Sequence, residues 1–152
     1  MAAPEDVILD LKSRLRRLNP IAKFRGFSED EIAEGERPTG LRLPSLLRHF
    51  MQTMGDHAGG LLTGSDLVAP EQLVEFREEA KALLAESGSK SELPPSAVVF
   101  VFHQGYSFLY LEAQQTNSPV FEFVEGHPEP KQICNSLAEF FEEELRLMES
   151  RS

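Results

Sequence analysis

GFSEDEIAEGERPTGLRLPSLLRHFMQTMG, residues 26–55, spells out two helices with separate start and stop signals. Ser28 is spaced to accept from the amide of Glu31 while Glu31 reaches back to Ser28, and Phe27 stands where it can staple onto Ile32. Pro38, Thr39 and Gly40 then make a turn. Pro44 occupies a first-turn position, where its missing N–H removes nothing the helix needed, so the second helix begins near Leu43. Its Leu46, Leu47, Phe50, Met51 and Met54 gather into one apolar stripe. Gly55 is the natural stop.

Upstream, residues 4–18 read as an amphipathic helix. Pro4, Glu5 and Asp6 suit its start, Arg14, Arg16 and Arg17 suit its end, and Val7, Ile8, Leu11, Leu15 and Leu18 form its stripe. The basic residues also suit a presequence or a membrane-surface helix, but Glu5, Asp6 and Asp10 argue for a helix packed on the domain. Downstream, residues 56–60 are a loop and residues 61–63 are expected to be a short edge strand or bend. Pro70 opens another helix with Leu73, Phe76, Ala80, Leu83 and Leu84 inside and a mainly solvated acidic outer face that includes Glu71, Glu75, Glu78 and Glu79. Gly88 stops it. Residues 87–95 form an exposed connector.

The pattern then turns to β. Residues 97–102, AVVFVF, are apolar without alternation, as in a central strand covered on both faces. Gln104-Gly105 is a hairpin turn into residues 106–113, where Tyr106, Phe108, Tyr110 and Glu112 share one face and Ser107, Leu109 and Leu111 the other. A third strand covers 120–124. A closing helix starts with a second capping box from Ser136 to Glu139 and turns Leu137, Phe140, Phe141, Leu145 and Met148 inward. The class is α+β: N-terminal helices, a small mainly antiparallel meander, and a C-terminal helix packed on one sheet face. At 152 residues the chain fits one domain.

In order, the succession of Gly26, the acidic helix start, Glu36, Gly40, Leu43-Pro44 and the Phe-containing helix ending in Gly55 resembles the opening of the SUKH superfamily. Residues 61–88, the aromatic strands between 97 and 124 with Pro119-Val120 leading the last, and residues 136–147 continue the resemblance. It covers about residues 26–147, with the helix at 4–18 added in front. Two features depart from the usual pattern: the chain has no Trp, and Pro38 interrupts the end of the first motif helix. Members include cell-wall-signalling regulators of the Smi/Knr kind and many bacterial immunity proteins. The resemblance therefore implies the same α+β fold and a non-enzymatic protein-binding role, above all neutralisation of a cognate toxin, often a nuclease.

Charge supports a basic partner. The net charge is −10, but residues 1–48 hold nine Lys/Arg and eight Asp/Glu, whereas residues 49–152 hold six and seventeen. The acidity thus belongs to the C-terminal two thirds. It repels phosphate backbones, which argues against nucleic acid, and it attracts and steers basic proteins. Acidic balance also serves solubility alone. No apolar run reaches the roughly 18 residues of a membrane span, there is no signal-peptide core, and a single cysteine agrees with a reducing compartment. The expected location is cytoplasmic.

Catalytic patterns are weak. His49, His57, His103 and His127 are scattered without metal-binding spacing, so neither metal nor cofactor is expected. Cys134, beside apolar Ile133, reads as a small packing residue rather than a nucleophile. Glu112 and Glu122 on neighbouring strands could form an acid/base pair, yet they also suit the wet side of a sheet. The residues expected to meet a protein partner, chosen from charge and expected exposure, are Asp56, Asp66, His103, Tyr106, Glu112, Glu122 and Glu125. A regulatory interaction module keeps the fold and changes the partner. A small-ligand domain would need a concave pocket beneath the sheet or by the loop near Gly59.

Overall fold

A computed structural model describes residues 3–113 and 116–151. The first helix, α1 (Pro4–Leu18), buries Ile8, Leu11 and Leu15. It packs on α3 and α5, defined below, and a bidentate ion pair from Arg14 to Glu142, at 2.6 and 2.8 Å, ties it to α5. A short strand β1 (Phe24–Arg25) then pairs antiparallel with β2 (His57–Ala58).

The opening motif folds as its sequence signals demand. Helix α2 (Glu29–Glu36) carries a complete capping box: the Glu31 amide donates to Ser28 Oγ at 3.1 Å and the Ser28 amide to Glu31 Oε1 at 3.0 Å. Pro38 sits in a 3-10 turn, Arg37–Thr39, which Gly40 closes with a left-handed φ of 68°. Helix α3 (Ser45–Met54) begins one residue after Pro44, which is its N-cap, and its whole apolar stripe is buried.

A side-chain network then locks α2 to α3. Glu36 accepts from the Leu43 amide at 2.6 Å and pairs with Arg48, which also pairs with Glu29 at 2.6 Å. Glu36 and Arg48 are each only 12% exposed, so removing either would strand the other in a poorly hydrated place. Backbone contact is equally close where the chain enters α2: the Phe27 amide donates to Met51 O at 2.8 Å, and a Cβ on Gly26 would lie 1.8 Å from Gln52 O.

The main sheet is an antiparallel meander of β3 (Asp66–Leu67), β4 (Ala97–His103), β5 (Ser107–Glu112), β6 (Val120–Val124) and β7 (Lys131–Cys134) in that spatial order. Gln104 and Gly105, with φ of 49° and 79°, supply the two positive dihedrals that a tight hairpin between β4 and β5 requires. Both faces of the sheet are covered. On one, Phe76 of α4 (Leu73–Glu86) meets Phe102 edge-on at 5.4 Å. On the other, Phe140 of α5 (Leu137–Arg151) meets Phe100 at 5.8 Å, and Phe141 stacks on Phe50 of α3 at 4.7 Å.

Three expectations are adjusted. Residues 61–63 form turns rather than a strand; the strand pairing lies on either side, at 57–58 and 66–67, because Gly59, Gly60 and Gly64 take positive φ and fold the intervening chain on itself. The meander gains edge strands, β3 and β7, too short to show a period. The capping box of α5 is half formed: the Glu139 amide donates to Ser136 Oγ at 3.1 Å, but the Glu139 carboxylate accepts from the Asn135 amide instead.

Candidate functional site

The loop between α3 and β3 stands away from α4 and leaves a cleft of about 760 Å³ between them. Its base is anchored by β1 and β2, by the Asp56 amide donating to Arg25 O and by the Gly59 amide donating to Lys23 O. Asp56 and Asp66 line it from the loop side and Glu75 and Glu79 from α4, and among the described residues Lys23 is the only lysine or arginine in its lining. Phe76 and Phe102 provide an apolar floor.

Charge in this cleft is largely unanswered. Asp56 pairs with Arg25 at 3.2 Å, but the carboxylates of Asp66, Glu75 and Glu79 make no hydrogen bond or ion pair among the described residues. Three free carboxylates above an apolar floor attract cations and hold a potential that steers them in. Ser65, which also lines this cleft, has its hydroxyl against the His103 ring rather than against these carboxylates.

A second cleft, of about 460 Å³, opens between the other sheet face and the later part of α5. His103, Tyr106 and Glu122 line it, together with Glu144 and Arg151 of α5. His103 Nδ1 lies 2.8 Å from Ser65 Oγ, and its ring meets that of Tyr106 edge-on at 5.3 Å. Leu62, Thr63 and Ser65 wall both clefts, and Leu62 holds a left-handed φ of 58°, a strained conformation for a bulky side chain.

The seven residues expected to face a partner therefore fall in different places. Asp56 and Asp66 share the first cleft, while His103, Tyr106 and Glu122 share the second. Glu125 is exposed just after β6, where its amide donates to Tyr106 O at 2.8 Å. Glu112 lies at the opposite end of β5 from Tyr106 and accepts from Ser96 Oγ at 2.9 Å. The paired-carboxylate idea fails on register. Glu122 is opposite Leu109, and Glu112 is three residues further along the same strand, so the two acids point to opposite faces.

Glu75 and Glu79, assigned from sequence to a solvated helix face, are the residues missed at the first cleft. Their i,i+4 spacing marks a common stripe, but only the folded loop gives that stripe something to face.

Cys134 is buried, and burial, reinforced by its 3.3 Å contact with Glu143, pushes its thiol up to about 12. It is thus a protonated packing group at neutral pH, without the thiolate a nucleophile needs. Cys134, Glu139 and Glu143 bring potential ligand atoms within 4.8 Å of one another. Such a set is satisfied here by its own hydrogen bonds and by the fold. No helix among the described residues is long and apolar enough to cross a membrane.

The class of domain is α+β, with helices around an antiparallel meander and an acidic cleft beside α4. Residues 26–143 match the model of the SMI1 / KNR4 family (SUKH-1), and the chain belongs to that family. The match begins at Gly26, the glycine that α3 needs at close quarters. No curated protein matches the chain.

Proposed function

We propose that the chain is a non-enzymatic protein-binding domain of the immunity type, which neutralises a toxin by holding a basic surface of it in the cleft between the 55–67 loop and α4. The observation that carries this reading is the set of unpaired carboxylates, Asp66, Glu75 and Glu79, gathered around one cleft. A nuclease presents the complementary surface, because a cleft that binds phosphate backbones is itself basic. Occupying that cleft with carboxylates blocks the substrate and accelerates encounter.

The test is co-expression with any toxin module encoded beside this chain, combined with binding of the purified pair. Protection and tight binding are expected. Asp66→Asn, Glu75→Gln and Glu79→Gln together should lower the association rate about tenfold and weaken its salt dependence. No protection and no binding would overturn the immunity role. A gene without a toxin neighbour, whose product binds a housekeeping protein through the same cleft, would move the assignment to the regulatory module.

A further inference from the structure

The second cleft contains chemistry that a flat protein contact does not require. By register, Ser107 is opposite both His103 and Val124, and Leu109 is opposite Val101 and Glu122. These side chains therefore share the face beneath α5. Ser107 is 7% exposed, yet its hydroxyl has no hydrogen-bond partner among the described residues. Although the residue is buried, that hydroxyl keeps an opening onto the cleft, where a ligand can donate to it. Glu144 approaches from α5, half-buried, and its carboxylate too makes no hydrogen bond or ion pair among the described residues. Burial raises its carboxyl above the ordinary glutamate range against the opposing pull of Arg151. The Glu122 carboxylate is the third acceptor without a partner among the described residues.

We infer that this cleft binds a primary alkylammonium group, with the aliphatic stem on Val101, Leu109 and Val124 and the ammonium between Glu122, Glu144 and the Ser107 hydroxyl. Three acceptors match the three N–H donors of an ammonium, whereas a guanidinium offers a planar fork of five. The two carboxylates and Arg151 of the lining sum to one negative charge, which a single ammonium neutralises, while Lys131, opposite Glu122 on β7, is exposed outside the lining. The apolar floor suits the methylene stem of such a ligand. The group can come from a lysine side chain of a protein or from a free aliphatic diamine. This assignment is independent of the acidic cleft beside α4.

The experiment titrates the full chain with n-pentylammonium, Nα-acetyl-lysine methylamide and cadaverine, recording backbone amide shifts. n-Pentanol, pentanoate and n-propylguanidinium serve as comparisons. Saturable shifts at Ser107, Leu109, Val124 and Glu144 are expected with the three amines, with at least about tenfold weaker response to the comparisons. Glu144→Gln and Ser107→Ala should each weaken binding, the former by about tenfold because it removes a charge-assisted partner. Asp66→Asn, in the other cleft, should leave it unchanged. Tighter binding of the lysine amide than of cadaverine assigns the ligand to a protein side chain, and the reverse assigns it to a free diamine. The proposal is overturned if those amides do not shift, if Glu144→Gln and Glu122→Gln, checked as folded, bind like the parent, or if shifts are confined to residues 56–79.

Discussion

The packed seams of the α2–α3 unit and the outer end of the 55–67 loop, at Gly64–Asp66, are near in the chain and use glycine, charge and burial in opposite ways. In α2–α3, Gly26 and Gly35 are held by contact: a Cβ would fall 1.8 Å from Gln52 O and 2.2 Å from Pro70 O, respectively. In the loop, a Cβ on Gly64 would meet nothing within 4 Å, and glycine serves only a φ of 93°. Carboxylates divide likewise. Glu29 and Glu36 are consumed by Arg48 within the scaffold, while Asp66 remains unpaired at the cleft among the described residues. One region commits its polar groups to its own architecture, and the other leaves them available. A surface that varies with its partner belongs on the second kind of structure.

The sharpest way to break this contrast is to add one methyl group to each region. Gly26→Ala should destabilise by at least about 3 kcal/mol, since backbone must move to admit it, whereas Gly64→Ala should cost only about 1–2 kcal/mol of local strain. Urea denaturation of both proteins decides the matter; equal costs would remove the distinction. Glu36→Ala comes next. It should cost about 2 kcal/mol, less than a fully buried broken pair because Glu29 still answers Arg48. Asp66→Ala should change stability by no more than about 0.5 kcal/mol, as expected for a surface group without a partner.

The smallest effect is a difference of sign with pH. The hydrogen bond from Arg14 holds Glu142 below the ordinary glutamate range. Between its folded and ordinary values the unfolded chain binds more protons, so Glu142 contributes stability that is lost as pH falls through its folded value. Glu144 is raised by burial, and there the folded chain binds more protons. Its carboxyl therefore reduces stability as pH rises through the raised value. Thermal melts across acidic pH should show a shallower acid loss in Arg14→Met. Glu144→Gln should be more stable than the parent at neutral pH, and a less stable protein would contradict the desolvated site.

How far the sequence could be read follows the same division. The Ser28–Glu31 box, the α3 stripe and the three longer strands are governed by neighbours within a few residues, and each appears where its local pattern places it. Residues 131–134 are not recognisable as a strand from sequence, because Lys131 and Gln132 are exposed and the pairing comes entirely from β6. Glu36 is visible as part of a pattern, but its work is to join Leu43 and Arg48 across a turn, a tertiary fact. The candidate site is legible only in part. Charge and loop signals point to Asp56 and Asp66, yet nothing local says that Glu75 and Glu79 stand across from them. Ser107 and Glu144 are hidden for the same reason, since each looks ordinary on its own element.

The strip formed by Leu62, Thr63 and Ser65 is a party wall with one side in each cleft. If filling one side moves that strip, the affinity of the other side changes, and linkage makes the effect reciprocal: each occupant alters the binding of the other by the same factor. The left-handed Leu62 at its centre holds strain that a shift of the strip would release.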